Sequence, residues 1–477
     1  MNTRRAFAIA SVARAVTVVL IAVRAKVVAL LLGPEGTGLL GLLTAAQEIG
    51  AQAADAGLSH SAVRQVARTS DRPLRVARIR RALAVAMTGA AIAGGLLMWL
   101  GRKELSQIVT GTPDHASSFG WLALGLALGV LFRWRQALLT GYRRVSAVAG
   151  GTILGTALAT GLGIVAVSLW GRDGLVFAAV AAPAAGLVGL LAMGRLPVAG
   201  PVSGRVLPEA AVLARLGVSL MLIAQMALVA PMILRVWITH QVGMDQAGLF
   251  HAAWTVSAQM MAVLLMAVGV DFYPKVSALM TYRREASAAL DDQIRVHLWA
   301  GGPCLMLTAT AAPWVLSLLY SDKFVPAAGL LHGLAIGGIA RLVSAPLETV
   351  LTAGSQSRLV LIASAVSLLG LVTGSILMFP VLGLSAIGLA FAVSQFAHLG
   401  AVTWAARRRV GVWPAASVLI WAAGLAVLGF GLTLAPPAIG VAASAVAALG
   451  GLYALGIVGT SAKTLGRPAA NTRSDLI

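Results

Sequence analysis

The sequence predicts an all-α polytopic membrane protein with about fourteen transmembrane helices. Hydrophobic residues make up 59% of the 477 residues, and charged residues make up only 11%, against about 25% in a soluble protein. Apolar runs of about 20 residues, the length that crosses a bilayer, follow one another along the chain. The polar segments between these runs are short, so the sequence predicts no large domain outside the membrane.

Each apolar run is interpreted as one span. Because most connections are short, neighbouring helices are expected to lie antiparallel. The predicted spans are 8–32, 37–62, 82–101, 118–140, 145–169, 174–194, 211–239, 246–271, 296–320, 326–353, 357–380, 384–406, 414–434 and 437–460.

The first span carries three cations inside its apolar run: Arg14, Arg24 and Lys26. Each costs roughly 2.5–3.5 kcal/mol at the bilayer centre, so each needs either water or an anion. At about 100° per residue, Arg24 and Lys26 point in nearly opposite directions. We therefore assign Arg24 to an internal cavity and expect Lys26 to extend toward the helix end. Gly33-Pro34 is predicted to end this helix.

Charge predicts the orientation. If the N-terminus is cytoplasmic, the cytoplasmic segments hold 24 of the 36 Lys and Arg residues, and the opposite side holds four. Under the positive-inside rule, both termini and the segment 63–81 are then cytoplasmic. The net charge of +20 is thereby explained by membrane orientation, and a nucleic-acid partner is not expected.

The second span carries a polar stripe in which Glu48, Gln52, Asp55 and Ser59 recur at the spacing of one helix face. Two interpretations stay open for the acids. They pair with the cations of the first span and stabilise the fold, or one of them takes up and releases a proton during ion coupling, because burial favours the protonated form of a carboxyl group.

An internal repeat relates the two halves of the chain. Residues 33–39 align with residues 243–249 at an offset of 210. Six spans separate the copies, so the halves share one orientation, as in transporters built from parallel repeats. The predicted domains are an N-lobe at 1–200, a C-lobe at 206–410, and two additional helices with a cytoplasmic tail at 411–477. We expect the two six-helix lobes to meet at a cavity near the membrane midplane.

The second half supplies further polar groups. Arg235 lies one residue from the repeat equivalent of Arg24, and Gln225 is near the middle of the same span. Arg341 and Glu348 share a face of the tenth span. A metal site is disfavoured because the seven His form no metal-ligand spacing. Nucleophilic catalysis and direct ATP use are disfavoured because neither a nucleophile–base set nor a phosphate loop occurs. No catalytic residue, metal or cofactor is predicted, and the single Cys304 excludes an intramolecular disulfide.

Five motifs, in order along residues 5–410, resemble those of a known transporter family. They are KVVALLLGPEGTGLLG from Lys26, AGLSHSAVRQVA at 56–67, GYRR at 141–144, LLYSDKF at 318–324 and the arginines at 407–409. The chain resembles the Wzx-type O-antigen and enterobacterial-common-antigen flippases of the multidrug/oligosaccharidyl-lipid/polysaccharide (MOP) exporter superfamily. The two extra helices after residue 411 depart from that pattern, and the lipid II flippase branch of the superfamily also has fourteen spans.

The resemblance implies a V-shaped pair of six-helix bundles in the bacterial inner membrane. Such a protein turns undecaprenyl-pyrophosphate-linked oligosaccharides to the periplasmic leaflet by alternating access, with membrane lipids and other surface-polysaccharide assembly proteins as partners. The predicted pyrophosphate-binding cations are Arg24, Arg14, Arg235, Arg341 and Lys26. The acids for ion coupling or structural pairing are Glu48, Asp55 and Glu348, and the polar lining is Gln52 and Gln225.

Four alternatives remain. A lipid II flippase shares the pyrophosphate chemistry, and Arg24 falls where that branch keeps a cavity arginine. A cation or drug antiporter of the same superfamily would favour an acidic cavity, whereas the first span has three cations and no acid. A membrane glycosyltransferase or polymerase would need a catalytic platform outside the membrane. The fourth alternative is a non-transporting scaffold, in which the intramembrane charges pair with each other and bind no substrate.

Overall fold

The computed structural model describes residues 3–68, 73–196, 206–269, 272–434, 440–444 and 446. Almost all of them are helical, which confirms the predicted fold class. The α-helices are α1 (Thr3–Asp55), α2 (Leu58–Arg68), α3 (Pro73–Leu100), α4 (Arg102–Thr110), α5 (Ala116–Gly141), α6 (Val145–Trp170), α7 (Gly174–Met193), α8 (Val206–Val242), α9 (Met244–Gly269), α10 (Phe272–Leu279), α11 (Arg283–Thr310), α12 (Ala312–Leu319), α13 (Ala328–Ala353), α14 (Ser357–Leu382), α15 (Ser385–Ala405) and α16 (Ala416–Leu434).

Among these residues, ten helices are long and apolar enough to cross a membrane, or eleven if α11 and α12 form one broken span. The chain is therefore a multi-pass membrane protein. The fourteenth predicted span, 437–460, lies largely outside the described residues, and the predicted cytoplasmic tail that follows it lies wholly outside them. The count of fourteen stays a prediction.

The chain divides into two compact units. Unit 1 comprises Met1–Gln259, Pro313–Ala328 and Leu368–Leu384, and unit 2 comprises Met260–Ala312, Gly329–Ser367 and Ser385–Ile477. The division predicted from the sequence, at 1–200, 206–410 and 411–477, stays a prediction.

Unit 1 has a core of large apolar side chains, among which Leu43, Met87 and Phe119 are fully buried. Its helices α6 and α7 approach through glycines, since a Cβ on Gly155 would lie 2.7 Å from the Cα of Gly186. Close backbone approach at small residues is how membrane helices gain packing contacts without a hydrophobic effect between them.

Unit 2 has its own core around α13. Leu298, Leu342 and Leu347 are fully buried there. A Cβ on Gly301 of α11 would lie 2.7 Å from the Cδ1 of Leu342, so α11 and α13 also pack where a glycine leaves room for a large side chain.

The predicted helix end at Gly33-Pro34 is confirmed. Gly33 has φ 65° and ψ −163°, a conformation that only glycine adopts readily. Pro34 follows and has no N–H to continue the helical ladder. The element α1 is therefore two helical segments joined at Gly33.

Two predicted spans differ from the structure. The second, predicted at 37–62, ends at Asp55, because Ala56 and Gly57 adopt left-handed φ of 48° and 76° before α2 begins. The ninth, predicted at 296–320, is broken at Ala311 between α11 and α12. Pro313 explains that break, because its ring lacks the N–H and clashes with the carbonyl group of residue 309.

The repeated hairpins touch each other within unit 1 through equivalent residues. A Cβ on Gly38 would lie 2.5 Å from the carbonyl oxygen of Met244, and a Cβ on Gly248 would collide with the carbonyl oxygen of Pro34. Residues 34 and 244, like residues 38 and 248, are related by the offset of 210. Exchanging the two copies of the repeat therefore converts each contact into the other. Segments related by a two-fold axis make reciprocal contacts of this kind.

We expect Gly38→Ala to destabilise the protein, because the new methyl group meets backbone atoms that cannot move aside. Overpacking of this kind costs about 1–3 kcal/mol. Gly161→Ala on α6 is the matched control, since nothing lies within 4 Å of its Cβ position. The melting temperature of the detergent-solubilised protein should fall for Gly38→Ala only. Equal melting temperatures for both variants would contradict the close hairpin contact.

Candidate functional site

Arg24 lies on the first segment of α1, half-buried against α6 of the same unit. A Cβ on Gly163 would lie 3.3 Å from the Cδ of Arg24. The absence of a side chain at Gly163 therefore leaves room for the Arg24 side chain against α6. A methyl group at position 163 would require the Arg24 side chain to shift by a few tenths of an ångström.

Arg235 lies on α8 and is 7% exposed. Its guanidinium Cζ is 5.8 Å from the centre of the Phe250 ring, a cation–π geometry. Its Nε has no hydrogen-bond partner among the described residues. Tyr320 is close enough to Arg235 for electrostatic interaction and is hydrogen-bonded to Thr255.

His251 on α9 is the third basic residue of this region. Its ring packs on Gly41, where a Cβ would lie 2.6 Å from the imidazole Nδ1. Both Arg24 and Arg235 are close enough to the imidazole to interact with it electrostatically. The Nδ1 has no hydrogen-bond partner among the described residues. We call Arg24, Arg235 and His251 the basic cluster.

The charge of the basic cluster is not balanced within the described part of the chain. The ion pairs that the structure describes are Arg133–Glu48, Arg172–Glu35, Arg341–Glu348 and His398–Glu348, and none includes Arg24 or Arg235. A buried charge without a partner is unfavourable. The cluster can therefore accept an anion, with guanidinium groups that grip phosphate oxygens in a bidentate manner.

Sequence reasoning identified Arg24 and Arg235 but missed His251. The signal that could have found it is the repeat, because His251 lies at the offset of 210 from Gly41. A large polar residue facing a glycine at equivalent positions indicates a side chain that fills the space between the two copies. Phe250 and Tyr320 were not predicted as site residues either, although Tyr320 lies within the motif LLYSDKF at 318–324.

The other two cations of the first span have partners in unit 1. The Nζ of Lys26 donates to the carbonyl oxygen of Ser317 at 2.9 Å, in the last turn of α12, where a positive charge is favourable. Arg14 donates to the Oε1 of Gln259 at 2.7 Å. Arg24 and Lys26 thus contact different helices, as expected from their opposite directions. The assignment of Arg14 and Lys26 to pyrophosphate binding stays a prediction.

The acids of the second span do not pair with first-span cations in the described structure. Glu48 forms an ion pair with Arg133 of α5. Asp55 is 2% exposed and accepts hydrogen bonds from Ser59 N at 3.0 Å and Ser59 Oγ at 2.8 Å. It thereby satisfies a free N–H at the start of α2. Of the two interpretations left open, the pairing of these acids with Arg14, Arg24 or Lys26 is therefore corrected, and the ion-coupling interpretation stays a prediction.

The two predicted lining glutamines are partly unsatisfied. Gln52 is 6% exposed and its Nε2 has no partner among the described residues. Gln225 donates to the carbonyl oxygen of Ile49 at 3.3 Å, and its Oε1 has no such partner. Polar atoms left free in this way can bind water or a polar ligand.

A second charged group lies in unit 2. Arg341 donates to both carboxylate oxygens of Glu348, seven residues later on α13, as the shared helix face predicted. The Nε2 of His398 on α15 is 2.7 Å from the Oε1 of Glu348. Unlike Arg24 and Arg235, Arg341 already has an anionic partner. Its predicted role in pyrophosphate binding stays a prediction.

The described residues contain no group of three His, Cys, Asp or Glu side chains placed to hold a metal ion.

Comparison with known proteins identifies the family. A family model described as polysaccharide biosynthesis protein matches residues 27–329. The fold is similar to a solved structure of the lipid II flippase MurJ in an inward closed conformation (TM-score 0.71, 12% identity, 97% of this chain and 99% of that chain). It is also similar to an inward-facing MATE family multidrug transporter of the MOP superfamily (TM-score 0.64, 15% identity, 87% of this chain and 98% of that chain). The eukaryotic MATE transporter AtDTX14 aligns as well (TM-score 0.61, 12% identity, 89% and 98%).

No curated protein sequence gives a significant match. At 12–15% identity, the structural similarities show a shared fold, whereas the family model covers more than half of the chain. The chain therefore belongs to the polysaccharide biosynthesis protein family, and its fold is similar to those of MurJ and the MATE transporters.

Proposed function

We propose that this protein moves undecaprenyl-pyrophosphate-linked oligosaccharides from the cytoplasmic to the periplasmic leaflet of the bacterial inner membrane by alternating access, for surface polysaccharide biosynthesis. The observation that carries the proposal is the basic cluster. Arg24 and Arg235 both interact electrostatically with His251, and neither arginine has a carboxylate partner among the described residues. Membership of a polysaccharide biosynthesis family supports the same substrate class.

The substrate explains why the cluster is cationic. A pyrophosphate diester carries two negative charges that must leave water to cross the membrane, and two arginines supply two positive charges with bidentate geometry. His251 adds a ring nitrogen that has no hydrogen-bond partner among the described residues. Arginine remains protonated in an apolar environment, whereas lysine loses its proton more readily there. In this proposal, Arg24 and Arg235 hold the pyrophosphate.

The remaining predicted residues take secondary roles in the proposal. Arg14 and Lys26 lie on the same helical segment as Arg24 and add to its positive field, and Gln52 and Gln225 offer hydrogen bonds to sugar hydroxyls. Glu348 holds Arg341 and His398 in unit 2. Glu48 and Asp55 are the candidates for ion coupling.

A lipid II flippase is the second candidate, favoured by the similarity to MurJ over 97% of this chain. Its substrate carries the same pyrophosphate on the same class of prenyl lipid, so the basic cluster fits both. An antiporter for cationic drugs fits poorly, because a site with two arginines and no paired acid among the described residues repels cations.

Depletion of the protein in its native bacterium tests the proposal. We expect lipid-linked oligosaccharide to accumulate in total, while the fraction accessible to an impermeant glycan-oxidising enzyme outside spheroplasts falls. Re-expression of the wild-type protein should restore both. If only lipid II accumulates on the cytoplasmic side of the membrane, the result would instead support the lipid II flippase. An unchanged outward fraction of both lipids would contradict transport of either.

A further inference from the structure

An apolar groove runs along the outer surface of unit 1 between α3 and α5, remote in sequence from the residues of the basic cluster. Its volume is about 640 Å³, within the range of small-molecule sites. Small residues such as Gly95, Ala123 and Ala127 form its floor, and Ile92 and Trp121 are among the larger residues that form its walls.

The groove follows from how the two helices pack. A Cβ on Gly95 would lie 3.1 Å from the carbonyl oxygen of Ala123, so the backbones approach closely and the small side chains leave a trough. The wall residues Ile92 and Trp121 are 65% and 53% exposed. In a membrane-spanning unit, such side chains face lipid, and the trough is open to a lipid chain.

A cation lies at one end of the groove. Arg102, the first residue of α4, donates to the carbonyl oxygen of Trp99 at 2.9 Å, and its guanidinium is 4.4 Å from the centre of the Trp99 ring. Its Cδ would be 3.6 Å from a Cβ on Gly120, so the arginine side chain lies beside the mouth of the groove. Ser117 lines the same end. Arg102 forms no ion pair with a described residue.

The aromatic residues place this end at the membrane surface. Trp121 and Trp170 both contact Phe177, with ring centres 6.0 Å and 5.2 Å apart, and Trp99 lies at the Arg102 end of the groove. Tryptophans collect at the level of lipid head groups. From Trp99 to Ile92 the groove descends roughly 10 Å along α3, which is within the depth of one leaflet, about 15 Å.

We propose that this groove binds an anionic glycerophospholipid of the membrane, with one acyl chain on the floor and the phosphate at Arg102 and Ser117. The combination of an apolar trough with a single cation at the interfacial end matches a lipid that has a chain and a charged phosphate. The depth of one leaflet favours an acyl chain over a long prenyl chain. The proposed lipid is a resident ligand, separate from the transported substrate.

Native mass spectrometry of the purified protein, titrated with phosphatidylglycerol, tests the proposal. We expect Arg102→Gln, which removes the charge, and Ile92→Trp, which fills the groove, each to weaken binding about tenfold. The controls are Lys103→Gln, the neighbouring cation outside the groove lining, and Leu97→Trp, an equally bulky change at a 71% exposed position. Both controls should bind as the wild type does.

Arg102→Gln removes the charge and Ile92→Trp fills the groove, so each variant tests the proposal independently. The test therefore stays decisive if one of them fails to fold. Binding of phosphatidylglycerol that is equal in the wild type and in every folded variant would overturn the proposal. Tighter binding of undecaprenyl phosphate than of phosphatidylglycerol, lost in the same two variants, would overturn the assignment to a glycerophospholipid. Binding of phosphatidylcholine as tight as that of phosphatidylglycerol would overturn the role of Arg102 in selecting an anionic head group.

Discussion

Replacing Arg24 with alanine is expected to abolish polysaccharide export while the protein remains folded and inserted. The variant removes one of the two guanidinium groups that we assign to the pyrophosphate. Losing about 3 kcal/mol of charge-assisted hydrogen bonds corresponds to about a 100-fold loss of affinity. Arg24→Lys should restore export only in part, because an ammonium group keeps the charge without the bidentate geometry.

Stability is the second readout of the same variant. Arg24 has no carboxylate partner among the described residues, so its removal leaves no described acid unpaired. The melting temperature is therefore expected to stay close to that of the wild type. Arg172→Ala is the matched control, since that arginine pairs with Glu35 at an exposed position and its loss should leave export intact. Normal surface polysaccharide for Arg24→Ala at matched expression would contradict the assignment.

Replacing Glu348 with alanine should, in contrast to Arg24→Ala, strongly destabilise the protein. This carboxylate is the described partner of both Arg341 and His398, and its loss leaves a partly buried guanidinium group without compensation. Breaking such a pair typically costs about 3–5 kcal/mol, and the partial exposure of Arg341 places the expected value at the lower end of this range. Melting of the solubilised protein measures the loss.

A double variant separates pairing from other roles of Glu348. Because the cost arises from the unpaired cation, Glu348→Ala combined with Arg341→Met should recover much of the lost melting temperature. The matched control is Glu348→Ala combined with Arg133→Met, which removes a cation that belongs to another ion pair and should not rescue. Equal rescue by both double variants, or by neither, would show that the Arg341–Glu348 pair does not stabilise unit 2.

Local signals in the sequence predicted local structure well. Gly33-Pro34 ends a helical segment because both residues act on the backbone at their own positions. Arg341 and Glu348 meet as predicted because their spacing alone puts them on one helix face. The break at residues 56–57 was missed, since one glycine within an apolar stretch does not distinguish a helix end from a small residue used for packing.

Contacts between distant segments could not be read from the sequence. Glu48 pairs with Arg133, which is 85 residues away, and helix periodicity identifies a polar face without identifying its partner. His251 was not distinguished from the other six histidines, although it faces Gly41, the residue at the repeat offset from it, and interacts electrostatically with both arginines. The repeat carried part of this information, because it places Arg235 one residue from the equivalent of Arg24.

The most direct test of the basic cluster is the binding of undecaprenyl pyrophosphate to purified protein, compared between the wild type and the Arg24→Ala, Arg235→Ala double variant. The proposed role predicts tight binding by the wild type, weaker binding of undecaprenyl monophosphate, and a loss of at least about 100-fold in the double variant. Undecaprenyl pyrophosphate that binds equally to the wild type and to a folded double variant would contradict it.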